Sequence, residues 1–226
     1  MYGLLSLPGG RVLCVVVALV IAAAFHGGAF AQAPLITAAE NGDLPALQRA
    51  LEGEPALEER DAQQRTALMA AVQANQTEAS RLLIEAGADV NARDSIEDSP
   101  YLLAGARGYL DILRLTLENG ADLNSTNRFG GTALIPAAER GHVETVRTLI
   151  AAGVDPDHVN KLGWTALLEA VILGDGGPDH VAVVKLLVDA GADTDIPDRK
   201  GVTALQHAKR HNYAEIVEIL QAAGAH

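Results

Sequence analysis

The chain has 226 residues, a formal charge of −12 and 49% hydrophobic residues. Its lone cysteine, Cys14, excludes an intrachain disulfide and a cysteine-built metal site. The acidic balance argues against nucleic acid as a partner, and 4% aromatics with abundant Ala and Leu point to small, closely spaced helices.

Residues 1–31 read as a secretory signal. Arg11 is their only charged residue, an apolar run of 14 residues extends from Val12 to Phe25, and Ala29-Phe30-Ala31 has the small-x-small form of a cleavage site. The run is shorter than the roughly 20 residues a membrane-spanning helix needs, so cleavage after Ala31 is expected, with an uncleaved anchor as the alternative. Arg-Val-Leu before Cys14 lacks the small residues of a lipoprotein signal. Removing 31 of 226 residues leaves 195, with a charge of −13 and no thiol. The domain at 32–226 is then expected in the periplasm of a Gram-negative bacterium or secreted beyond it, with no stable membrane insertion.

That domain repeats itself. Glu85-Ala86-Gly87-Ala88-Asp89-Val90-Asn91 recurs 33 residues later as Glu118-Asn119-Gly120-Ala121-Asp122-Leu123-Asn124, then in part at Gly153-Val154-Asp155 and Gly191-Ala192-Asp193. Thr66-Ala67-Leu68, Ser99-Pro100-Tyr101, Thr132-Ala133-Leu134, Thr165-Ala166-Leu167 and Thr203-Ala204-Leu205 open helical stretches at spacings of 33, 33, 33 and 38. The Thr or Ser is an N-cap. Ala71, Ala104, Ala137 and Ala170 let each first helix approach its neighbours, Gly108, Gly141 and Gly174 end it, and Gly87, Gly120, Gly153 and Gly191 stop the second helix.

This period and signature resemble the ankyrin repeat family. The resemblance implies an all-α solenoid of about six helix-turn-helix units with short β-hairpin loops, spanning about 33–60, 61–93, 94–126, 127–159, 160–197 and 198–226. The first copy is degenerate: Pro34-Leu35 opens a helix, Gly42-Asp43 turns it, and Leu44 to Leu51 forms the second helix. In the last, Lys209 and Gln221 present polar side chains suited to a cap.

Three departures carry expectations. Gln64 and Glu97 stand where other hairpins have Gly130, Gly163 and Gly201. A positive φ is costly for them, so looser hairpins are expected there. Pro136 removes one backbone donor from the fourth repeat and with it a single hydrogen bond. The fifth repeat carries five extra residues, Asp175 to Asp179, read as a solvated loop with Pro178 leading into the next helix. A calcium loop needs more oxygen ligands at closer alternate spacing.

No phosphate-binding glycine loop, His-Glu-x-x-His or Gly-x-Ser-x-Gly occurs. No catalytic, cofactor or metal residues are assigned, and the chain is expected to be no enzyme. His142 and His180 open second helices, where the resemblance makes them structural. The resemblance also implies binding of another protein through hairpin tips and the concave face of the first helices. Register then nominates 25 positions, of which eight are Lys or Arg and two acidic. The candidates are Arg65, then Ile96 and Arg107, then Arg128, Phe129 and Arg140, then Lys161, Leu162, Trp164, Ile172 and Leu173, and finally Arg199, Lys200 and Arg210. A monomer binding a protein with an acidic, partly apolar surface is expected. A secreted effector or host-interaction protein, or an immunity protein blocking a toxin, are the alternative roles.

Overall fold

The computed structural model describes residues 34–226; the segment 1–31 expected to be a secretory signal lies outside them. The described chain is a series of helix pairs: α1 (Pro34–Asn41) with α2 (Leu44–Leu51), α3 (Ala67–Gln73) with α4 (Thr77–Glu85), and α5 (Pro100–Arg107) with α6 (Leu110–Glu118). Then follow α7 (Leu134–Glu139) with α8 (Val143–Ala152), α9 (Ala166–Ile172) with α10 (Pro178–Asp189), and α11 (Ala204–His211) with α12 (Ala214–Ala222). Among the described residues there are no strands, and the hairpins are built of turns.

First helices pack on first helices and second on second, so each unit buries its apolar face against its neighbours. Leu68, Tyr101, Leu134, Leu167 and Leu205 recur at one register in the core, and Leu83, Leu113, Leu149, Leu187 and Leu220 are buried from the second helices. Each such burial contributes about 1.5–3 kcal/mol. Small residues set the spacing of the first row. A Cβ on Gly105 in α5 would stand 2.8 Å from the Cβ of Ala133, so α5 and the start of α7 approach as closely as glycine permits.

The first helices of the second to sixth units start by one rule with one exception. The hydroxyls of Thr66, Ser99 and Thr165 each accept from the N–H three residues on, at 3.2 Å, and Thr203 forms a reciprocal capping box with Gln206. The N–H four residues on donates to the cap carbonyl at 2.9–3.0 Å in all four. At Thr132 the residue four on is Pro136, which has no N–H. The Ile135 N–H turns to the Thr132 carbonyl instead, at 3.3 Å. The Thr132 hydroxyl is left buried without a partner, and α7 starts late, at Leu134. The effect of Pro136 therefore exceeds the single lost hydrogen bond expected from sequence: the cap goes with it.

The fifth unit also differs from expectation. Gly174 does not take the left-handed conformation that ends α5 at Gly108; Leu173 closes α9 with helical backbone, and Gly176 has φ of 68° instead. The inserted stretch is only partly loop, because Pro178 and Asp179 form the first turn of α10. Asp175 accepts from the Gly177 N–H at 2.8 Å and lies 2.8 Å from His180 Nδ1, while His180 Nε2–H donates to the Glu139 carbonyl at 2.9 Å. These contacts pin the insertion back onto α7 and hold the Asp175 carboxyl below its ordinary value, the Gly177 bond first and His180 next.

Candidate functional site

Each hairpin tip is organised by one Asp or Asn. Asp61, Asp94, Asn127, Asn160 and Asp198 each accept, through Oδ1, from the N–H groups two and four residues on, at 2.8–3.1 Å. Each also bonds backbone to backbone with the residue four on, at 2.9–3.1 Å. Two side-chain bonds and one backbone bond close the same turn five times over.

Gln64 and Glu97 sit in that turn with φ of 60° and 65°, beside 73°, 87° and 75° for Gly130, Gly163 and Gly201. The expectation of looser hairpins is thus corrected: the non-glycine tips keep the left-handed backbone and its hydrogen bonds. An arginine four residues earlier accompanies each of them, whereas among the glycine tips the Gly130 carbonyl pairs with His158 Nε2 at 2.7 Å. Arg60 donates to the Gln64 carbonyl at 2.8 Å, and Arg93 to the Glu97 carbonyl at 3.0 Å. Both guanidinium groups also reach one repeat ahead, Arg60 to the Arg93 carbonyl and Arg93 to the Thr126 carbonyl. Thr126, Val159 and Pro197 occupy the matching positions before the glycine hairpins.

The nominated basic residues divide by role. Arg65 is 13% exposed at its side chain and bonds to Asp61 Oδ2 at 2.7 Å, Glu40 Oε1 at 3.1 Å and Gln73 Oε1 at 2.8 Å. Burial opposes its charge, but Asp61 and Glu40 outweigh this and raise its pKa. It is a structural cation. Arg128 pairs with Asp98 at 3.4 Å and lies 4.6 Å over the Phe129 ring. Arg140 donates to the Ala106 carbonyl, Lys161 to the Arg128 carbonyl at 2.9 Å, and Arg199 to the Lys161 carbonyl. These bonds position the cations without neutralising them. Arg107, Lys200 and Arg210 are exposed.

A groove of about 580 Å³ runs across the third to fifth units, between the hairpin tips and α5, α7 and α9. Seven of the nominated residues line it: Ile96, Arg107, Arg128, Phe129, Arg140, Leu162 and Leu173. Its four apolar members remain substantially exposed, Ile96 at 47%, Phe129 at 50%, Leu162 at 48% and Leu173 at 50%. Trp164 and Ile172 are drawn partly into the core and do not line the groove. Arg65 lines a smaller neighbouring recess with Ile96, while Lys161, Arg199, Lys200 and Arg210 belong to neither.

Register did not nominate Glu169, which lines the groove from α9 and is 5% exposed. Its Oε1 accepts from Asn160 Nδ2 at 2.7 Å. Burial, then the charge of Glu139, raise its pKa to about 7 against the opposing Asn160 amide and Arg140. Asp98, also lining the groove, is raised by burial despite Arg128. The arrangement is two-layered: guanidinium groups and apolar side chains stand exposed, and carboxyls lie beneath them. Among the described residues no helix is long and apolar enough to cross a membrane, and no group of three or more His, Cys, Asp or Glu could hold a metal ion.

A family model described as ankyrin repeats, in three copies, matches residues 12–94, 101–198 and 153–226. The chain is similar to the crystal structure of an ankyrin repeat domain from Acinetobacter baumannii AYE, at 59% identity over 85% of this chain and 98% of that one, with a TM-score of 0.84. It is similar to a second crystallised ankyrin repeat protein at 43% identity, covering 83% and 96% with a TM-score of 0.81. It is also similar to the ankyrin repeat domain of Bcl-3, a member of the IkappaB protein family, at 30% identity, 87% and 88% coverage and a TM-score of 0.78. No match is found among curated proteins.

Proposed function

The chain belongs to the ankyrin repeat family, whose members are protein–protein interaction scaffolds, and from that premise we propose that it is a non-catalytic, monomeric scaffold of the periplasm, exported by its cleaved leader. It binds one protein partner through the hairpin tips and the groove over α5, α7 and α9. The observation that carries this is the cluster of Ile96, Phe129, Leu162 and Leu173, each about half exposed and rimmed by Arg107, Arg128 and Arg140. Aromatic and arginine side chains around a desolvatable centre are the usual source of interface energy. The exposed charge on this rim is positive, which suits a partner carrying carboxylates beside apolar side chains.

The test is crosslinking in intact cells, followed by recovery of the mature chain from periplasmic and culture fractions. The reading requires periplasmic recovery of a partner whose association weakens with salt. Phe129→Ala with Leu162→Ala, in a variant that melts like the wild type, abolishes that association. Recovery from the medium alone would favour a secreted effector or host-interaction protein. Undiminished partner capture by the double variant rejects the groove as the interface.

A further inference from the structure

Glu169 lines the groove without being required by the fold or by the rim of the site. It lies in the first turn of α9, where its backbone needs are met by Thr165. Its register partners in the other first helices are Ala70, Leu103, Pro136 and His207, so a carboxylate is not needed at that place to build a repeat. It is nonetheless 95% buried, with a single side-chain donor, the Asn160 amide on Oε1. A carboxylate accepts up to about four hydrogen bonds. Oε2 has no hydrogen-bond partner, and it is not among the side-chain oxygens sealed from solvent, so its opening is into the groove.

Resting on the reading of the groove as the interface, we propose that Glu169 Oε2 is an acceptor for a tyrosine hydroxyl, carried on a partner segment whose carboxylates meet Arg107, Arg128 and Arg140. The polarity follows from what the buried group lacks. A carboxylate held in low dielectric with one donor is destabilised, and an incoming O–H or N–H relieves it. The choice of anchor follows from the path to it. A donor reaching Oε2 passes the exposed side chains of Ile96, Phe129, Leu162 and Leu173, which favours an apolar body. It also passes Arg107, Arg128 and Arg140, which disfavours a Lys or Arg side chain. An aromatic ring with a donor at its tip meets both conditions, and such side chains anchor interfaces at low conformational cost. Groups of acceptor character, a partner carboxylate included, are repelled from Oε2 itself and are left to the rim.

The titratable groups around Glu169 agree with this polarity. From α7, Glu139 raises its pKa and Arg140 lowers it; α10 contributes His180, bound to the Glu139 carbonyl, and α11 contributes His207, paired with Asp198, and Arg210. The acceptor is fully developed only once Glu169 has lost its proton, above about 7. Binding of a donor anchor therefore strengthens as pH rises through that value.

The experiment uses the folded domain and a displayed library of random peptides, selected on wild type and counter-selected on the Phe129→Ala, Leu162→Ala double variant. The expected consensus is Tyr flanked by Asp or Glu. For a selected peptide, Tyr→Phe in the peptide and Glu169→Gln in the protein each weaken binding about tenfold, and the two losses do not add. Glutamine changes the character of the contact. Its amide oxygen takes the Asn160 donor, which turns its NH2 into the groove, so a tyrosine hydroxyl meets it only as a neutral acceptor and the charge-assisted bond to a carboxylate is lost. Equal or tighter binding to Glu169→Gln, or a consensus built on Lys or Arg, overturns the proposal. Peptides lost on the Phe129, Leu162 double variant yet indifferent to Glu169→Gln would sink the role of Glu169 and leave the groove standing. Wild-type binders that are all removed by the counter-selection, because they hold the double variant equally well, would sink the groove itself. A thermal melt of Glu169→Gln alongside wild type identifies any loss that comes from unfolding.

Discussion

The hairpins of the second and third units and those of the fourth to sixth reach one backbone by different means. The latter place glycine where φ is positive, at no steric cost. The former place Gln64 and Glu97 there, and an arginine four residues earlier grips the carbonyl of the strained residue. All five share the Asp or Asn that accepts two N–H groups across the turn. The comparison teaches that glycine makes the turn inexpensive while the Asx residue makes it form. Where glycine is missing, the remaining strain is met by extra bonding on the outside of the loop.

Several substitutions would break or sharpen that comparison. The largest effect is expected at Asn160, which caps the turn and donates to Glu169. Asn160→Ala leaves two N–H groups and a buried carboxyl without partners and should cost about 3 kcal/mol in denaturant unfolding; a loss smaller than that of Gly163→Ala would reverse the ranking of Asx over glycine. Glu169→Gln acts on the same pair. The folded-state pKa of Glu169, about 7, stands above its ordinary 4.5. The stability linked to its proton is thus fully present below pH 4.5, declines as pH rises to about 7, and is flat above. Glutamine should remove on the order of 3 kcal/mol of that decline, seen as a flattened melting temperature across the interval. Arg93→Ala should cost about 1–2 kcal/mol, and less in a Glu97→Gly background, because glycine abolishes the strain that the clamp offsets. Additive losses in that cycle would mean the clamp serves only the next repeat. Gln64→Gly alone should stabilise by about 0.5–1 kcal/mol, the relief of left-handed strain less the added freedom of the unfolded chain. A last pair contrasts two helix starts, one of them with almost no effect. Thr165→Val should cost about 1 kcal/mol, whereas Thr132→Val, whose hydroxyl bonds to nothing, should be nearly neutral.

The solenoid was legible because its apolar and small residues recur at one period, and the ends of α2 fall where Leu44 and Leu51 suggested. The Asx series at 61, 94, 127, 160 and 198 carries the same spacing but alternates between Asp and Asn and acts on backbone, so its residues look like ordinary turn residues. Arg60 and Arg93 were equally visible; their purpose depends on a positive φ that no side-chain pattern reports. Half of the nominated binding residues meet in the groove, since register along parallel units translates directly into position. Arg65 does not offer a free charge because Glu40, from the preceding unit, reaches it across a gap of 25 residues. Glu169 escaped notice for the opposite reason: a charged residue in a first turn reads as solvated, and only the packing of α7, α9 and the Asn160 tip buries it.

The clamp arginines have a consequence for how such an array changes length. Arg60 to Arg93 and Arg93 to Thr126 each span 33 residues, as does Lys161 to Arg128, while Arg199 to Lys161 spans 38 and absorbs the insertion. A link of one full period is indifferent to which unit lies next door. Excising or duplicating a whole unit rejoins donor to acceptor and leaves no carbonyl stranded, whereas a cut of any other length unzips the tip row at the scar. The edge of the molecule is thereby stitched in a way that tolerates gain and loss only in complete modules.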